Sequence, residues 1–221
     1  MRLFVRLVLV LALTWTRASA NSGPGHESGS ECHRLKHTMS LKDKTPILGQ
    51  FHYIQGFSDS PFYKSFLKMT SSFWYNITET SSGFYMQQFV KWNGTCVVLA
   101  SNATIKGHTA VVHLHNMTSW VQVFNVSQNS VLVRARTKAQ NIHNFLHHLR
   151  IDPTEHKPDL DSVSLYLASR RTDVSDRDLQ LFRDHAQCTG FTGEPDYSYQ
   201  NQEFCSEPES VSLDQRFFHK N

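Results

Sequence analysis

His113 and His115 lie two apart in an extended run, on one face of it, and His143 and His147 stand four apart, as two zinc ligands on one helical turn do. Neither pair has an acid or a thiol nearby as a third ligand, and no HExxH is present, so the histidines read as surface groups. Serine, histidine and aspartate are plentiful, but there is no G-x-S-x-G elbow to raise a nucleophile. Cys32, Cys96, Cys188 and Cys205 form an even set with no CxxC, which predicts two disulfides in one of three connectivities rather than a reactive thiol. Asn76, Asn93, Asn102, Asn116 and Asn125 each open an N-x-[ST] sequon, and this density predicts a glycoprotein. Catalysis, a metal and a cofactor therefore have no positive support, and the chain is not expected to be an enzyme.

The compartment follows from the first residues. Residues 1–20, "MRLFVRLVLVLALTWTRASA", combine a basic start, a short apolar run and a small-residue cleavage pattern, the form of a signal peptide. The apolar run falls short of the roughly 20 residues that span a bilayer, so no stable membrane anchor is expected. Without that segment, which holds three arginines and no acid, 19 Lys+Arg balance 19 Asp+Glu. A balanced chain supports neither a nucleic-acid footprint nor a polybasic membrane patch. The expectation is a secreted, extracellular protein of plasma or mucus, monomeric, with a flexible Gly/Ser-rich leader over 21–31, one domain over 32–205 and a polar, flexible tail over 206–221.

Short alternating runs rich in β-branched and aromatic residues predict eight strands, at 48–57, 69–78, 83–92, 95–106, 109–115, 118–126, 130–137 and 162–169. The links between most of them are too short for crossovers, so sequential strands pair antiparallel. In "VSDRDLQLFRDHAQC" Ser175 caps a helix, Asp178 supplies the acid three positions on, and Leu179, Phe182 and Ala186 form its packing stripe. Ile142, Phe145, Leu146 and Leu149 carry helical spacing in a second segment. The fold class is all-β: an eight-stranded up-and-down antiparallel barrel with a C-terminal α-helix packed outside, preferred over a sandwich that needs Greek-key crossovers.

The sequons also orient the strands. A glycan needs solvent, so its asparagine points out and the flanking residues point in. This rule turns Phe73, Tyr75 and Ile77 inward beside Asn76, and Phe84, Met86, Gln88, Val90 and Trp92 inward before Asn93. It turns Leu99, Ser101, Ala103 and Ile105 inward around Asn102, and Trp120, Gln122, Phe124 and Val126 inward around Asn125. Apolarity places Val112 and Leu114 inside as well. Apolar walls with a few hydrogen-bonding groups are the make-up of a small-ligand cavity.

"ILGQFHYIQGF", "KMTSSFWYNIT", "VSLYLASRR" and the cysteine spacing together resemble the lipocalins, specifically the alpha-1-acid glycoprotein type with its fish tributyltin-binding and pufferfish saxitoxin- and tetrodotoxin-binding relatives. The resemblance covers Cys32 to Cys205 and implies disulfides Cys32–Cys188 and Cys96–Cys205. It places Tyr53, Ser164 and Tyr166 in the pocket and implies that Arg170 or Arg171 packs over residue 51. Phe51 stands where the family carries its first-strand tryptophan, and 138–160 reads as an insertion. The implied function is a carrier of a small, largely hydrophobic molecule, such as a lipophilic drug or xenobiotic, an organotin or a toxin-like compound. The competing expectation is an acute-phase, immunomodulatory glycoprotein acting through its surface loops and glycans.

Overall fold

The computed structural model describes residues 37–81, 83–114, 116–143, 159–206 and 211–212. Eight strands form the body: β1 (Gly49–Ser58), β2 (Thr70–Thr80), β3 (Gly83–Trp92), β4 (Thr95–Lys106), β5 (Thr109–Leu114), β6 (Met117–Asn125), β7 (Ser130–Ala139) and β8 (Leu160–Ser169). Each is antiparallel to its sequence neighbour, and β1 pairs with β8, closing the sheet into a barrel. The expected strands are therefore present, with bounds displaced by no more than two residues. Their ends are written in turn chemistry: Asn93 (φ 46°) and Gly94 (φ 75°) take the left-handed conformations that a two-residue hairpin between β3 and β4 demands.

The helix α2 (Asp176–Cys188) starts where expected, with Ser175 Oγ accepting the Asp178 amide at 3.2 Å. Phe182 and Ala186, with Leu179 at the edge, bury against Ile54, Phe57, Phe124, Leu132, Leu165 and Leu167 on the outer wall. A bulge in β1 between Tyr53 and Gln55 makes this possible. Ile54 and Phe57 are three residues apart, so strict alternation would put them on opposite faces; the extra residue turns both toward α2.

A helix that the patterning did not predict, α1 (Pro61–Lys68), crosses the open end between β1 and β2. Its signals were present in the sequence: proline at the first helical position and Phe62 and Phe66 four apart. Beyond α2, Tyr197–Ser198 form β9 on β1. Cys205 is bonded to Cys96, the pairing the resemblance implied. Cys188 is disulfide-bonded as well; Cys32, its expected partner, lies outside the described residues, as do the signal peptide, the leader and 144–149 of the second helical segment. Within the tail expected to be flexible, Val211–Ser212 form a short strand, β10, parallel to Val97–Val98 of β4.

Candidate ligand-binding cavity

The inner faces of the strands enclose a cavity of about 190 Å³, far above the ~10–15 Å³ that one water needs. Behind the lining residue Tyr75, at the floor end, lies Phe51, which is 1% exposed and stacks on Tyr75 with centroids 5.5 Å apart. Beneath Phe51 lies Arg170, its guanidinium carbon 4.3 Å from the ring centroid, donating to the carbonyls of Leu48 (3.0 Å) and Pro46 (3.1 Å). Gly49 makes the entry to β1 possible: its φ of +86° is left-handed, and the Arg170 guanidinium lies 3.4 Å from where a Cβ would stand.

Above the floor, Tyr53 is the hub of an aromatic cluster, with ring centroids 4.2 Å from Phe73, 5.0 Å from Tyr75 and 4.7 Å from Tyr166. Burial pushes the hydroxyl pKa values of Tyr53, Tyr75 and Tyr166 well above the ordinary range, and that of Tyr63 up to about 12, so all four are neutral donors at physiological pH. Ser164 donates to Ser58 at 3.0 Å, and the hydroxyls of Ser119 and Thr137 lie 2.8 Å apart. Among the described residues no Asp, Glu, Lys, Arg, His or Cys lines the cavity.

Ten of the thirteen expected pocket residues line it together: Tyr53, Phe73, Tyr75, Ile77, Met86, Gln88, Val112, Leu114, Ser164 and Tyr166. Trp120, Gln122 and Phe124 do not. The lining residues of β6 are Met117, Ser119, Val121 and Val123, so the alternation read from Asn125 was inverted. Trp120 is 39% exposed on the outer wall opposite Arg136, and Phe124 is buried under α2. The reason is position: Asn125 is the last residue of β6, and its side chain emerges beside Phe51 and Arg170 in a cleft below the floor. There the inner side of the strand is solvent again, so an exposed asparagine says nothing about parity. Mid-strand sequons at Asn76 and Asn102 oriented β2 and β4 correctly. Four of the sequon asparagines (93, 102, 116 and 125) are exposed and Asn76 is half-buried.

Sequence reasoning missed the lining residues that come from outside the predicted strands. Leu41 and Ile47 precede β1, and Phe62, Tyr63 and Phe66 descend from α1. The strand β7, to which no faces were assigned, supplies Val131, Val133, Ala135 and Thr137. Among the described residues no group of three metal-ligating side chains occurs, and His113 is exposed beside Thr118 Oγ1 at 3.2 Å. His115 and His147 lie outside the described residues.

The chain matches no family model and no curated protein sequence. Its architecture does match solved structures. A siderocalin, Ex-FABP, described as functioning through dual ligand specificities, is 11% identical with a TM-score of 0.53, covering 76% of this chain and 99% of its own. Lipocalin 12 from rat epididymis is 10% identical with a TM-score of 0.56, covering 80% of this chain and 97% of its own. At such identity the likeness carries the backbone and not the chemistry, and with the closed antiparallel barrel and its external helix it leads to one conclusion: this protein has the lipocalin fold.

Proposed function

We propose that the protein is a secreted, glycosylated carrier that holds one small, largely hydrophobic molecule inside its barrel. The observation that carries this reading is the cavity: aromatic, uncharged among the described residues, and left as empty space rather than filled by its own side chains. Aromatic walls would exclude water from the ligand, and Tyr53, Gln88, Ser164 and Tyr166, which line the cavity, would orient its polar atoms. The signal-peptide pattern, the Cys96–Cys205 bond and the sequons support secretion and glycosylation. The resemblance to the alpha-1-acid glycoprotein type supports a broad clientele of lipophilic drugs or xenobiotics, organotins or toxin-like molecules. The siderocalin with the same fold is described as functioning through dual ligand specificities, which is in keeping with a broad clientele. An interaction glycoprotein acting through its surface would not need the open cavity, which is why the carrier reading is preferred.

The test is native mass spectrometry of deglycosylated protein from its natural source, followed by titration with lipophilic fluorescent probes. A co-purifying small molecule, or one-to-one saturable probe binding, is expected. The reading fails if probes of several chemical types show no saturable binding.

A further inference from the structure

The polar groups of the wall are not equally satisfied. Ser119 and Thr137 hydrogen-bond each other, and Ser164 donates to Ser58. Ser101 differs: it is 4% exposed, it lines the cavity, and its enclosed hydroxyl has no partner. An unmade hydrogen bond inside a barrel is costly, so such a group marks where an absent partner belongs. Beside it stands Gln88. The pairing of β3 with β4 sets Gln88 opposite Leu99 and Ser101 opposite Met86, making the two polar residues diagonal neighbours on the inner face. The Gln88 amide reaches only the Met86 thioether, at 3.8 Å, a poor acceptor for a good donor. Halfway along the barrel Gln88 and Ser101 thus form a patch with unused donors and acceptors, opposite Tyr75 on β2, in a wall otherwise lined mostly by apolar and aromatic side chains.

The charges of the neighbourhood lie elsewhere. Arg170 lies below Phe51, half-buried at the outer cleft, and is occupied by two carbonyls. Lys44 stands 5.7 Å from the Phe84 ring centroid and is paired with Glu79 at 2.8 Å. A carboxylate at the patch would lose its water and meet no cation, whereas an amide or hydroxyl could satisfy both Gln88 and Ser101.

We propose that Gln88 and Ser101 anchor an uncharged hydrogen-bonding head group, an amide or alcohol, of an amphiphile whose apolar body fills the rest of the barrel, and that the site discriminates against the corresponding carboxylate. The proposal rests on the carrier reading and adds a chemical class to it.

The test uses the full-length, disulfide-intact protein and displacement of a bound lipophilic probe by a matched series: decanamide, decanol, decanoate and undecane. Decanamide and decanol are expected to displace the probe at concentrations about tenfold or more below decanoate. Their advantage over undecane is expected to be about three- to tenfold, the worth of one or two net hydrogen bonds. In Gln88→Leu and in Ser101→Ala the ratio of amide to undecane affinity is expected to fall, the alkane serving as the internal reference within each variant, with circular dichroism confirming that each is folded. The wild-type series stands even where a variant does not fold. Equal or tighter binding of decanoate overturns the proposal, as does an undiminished amide advantage in both variants; either result leaves the carrier reading intact. If the protein binds neither the probe nor any member of the series, the carrier reading fails and this proposal with it.

Discussion

Phe51 and Arg170 close one end of the barrel through a ring stack and two backbone hydrogen bonds. A phenylalanine has no ring N–H, so the stack is held by ring packing and by the two carbonyl bonds of Arg170, which tie the end of β8 to the chain before β1. The sequence left Arg170 and Arg171 as equal candidates because they are adjacent. Their side chains point to opposite sides, and Arg171 is exposed and paired with Asp173 instead. Arg170→Met is therefore expected to lower unfolding free energy by about 2 kcal/mol in urea titration, while Arg171→Met leaves it nearly unchanged; equal effects would mean that the floor does not depend on the stack. Trp120 gives the opposite lesson. The alternation read from Asn125 made it a pocket wall, but it stands outside the barrel. Trp120→Phe is expected to leave probe affinity within twofold of the wild type, and Tyr166→Ala, which removes a wall residue, to weaken it by about tenfold or more.

At the scale of elements, the strands were legible because period-two patterning and turn residues act locally, whereas α1 and the face of β6 depend on where the barrel ends. α1 is a single eight-residue helix whose Phe62 and Phe66 become meaningful only over an open mouth. The face of β6 was misread because its one solvent marker sits past the floor. The docking of α2 was legible as a stripe, but one consequence was not: His185 belongs to the same buried face. It is 4% exposed, its ring centroid is 4.9 Å from that of Phe124, and both ring nitrogens are enclosed without partners. Burial, with a smaller contribution from the Arg134 charge, lowers its pKa from 6.5 to about 4. The unfolded chain thus takes up this proton at a higher pH than the folded one does. The contribution to stability is full above pH 6.5 and is lost as pH falls toward 4. Urea midpoints of the wild type are expected to fall between pH 6.5 and 5 more steeply than those of His185→Phe; parallel profiles would show that the imidazole does not titrate across the docking of α2.

For the molecule as a whole, the segment after α2 works as a belt around the outside of the barrel. It pairs with β1 through Tyr197–Ser198, accepts a hydrogen bond from Ser72 at the Glu203 carbonyl (3.1 Å), and accepts the Trp74 indole N–H at the Cys205 carbonyl (3.0 Å). Phe204 is sandwiched between Tyr199, with centroids 4.8 Å apart, and His52, at 4.5 Å. Trp74 in turn stacks on Phe89 at 4.0 Å, so the belt lies over an aromatic outer face that strand alternation alone would leave wet. The Cys96–Cys205 bond fastens its end to β4 across 109 residues of sequence, and β10 adds its pairing to the same strand one residue further on. Closing so long a loop restricts the unfolded chain strongly, a contribution of about 2–5 kcal/mol. Because the bond lies on the outer face while the ligand space is inside, stability and binding should separate. The double variant Cys96→Ser/Cys205→Ser is expected to unfold at lower urea, by about 2–5 kcal/mol, and to bind probe with wild-type affinity at temperatures where it is fully folded. Hydrogen exchange should quicken at the β4 edge that β10 covers and stay slow at β7 and β8 on the far wall. An unchanged urea midpoint would mean that the aromatic contacts hold the belt by themselves; a loss of probe affinity in the folded variant would mean that the belt sets the width of the barrel from outside.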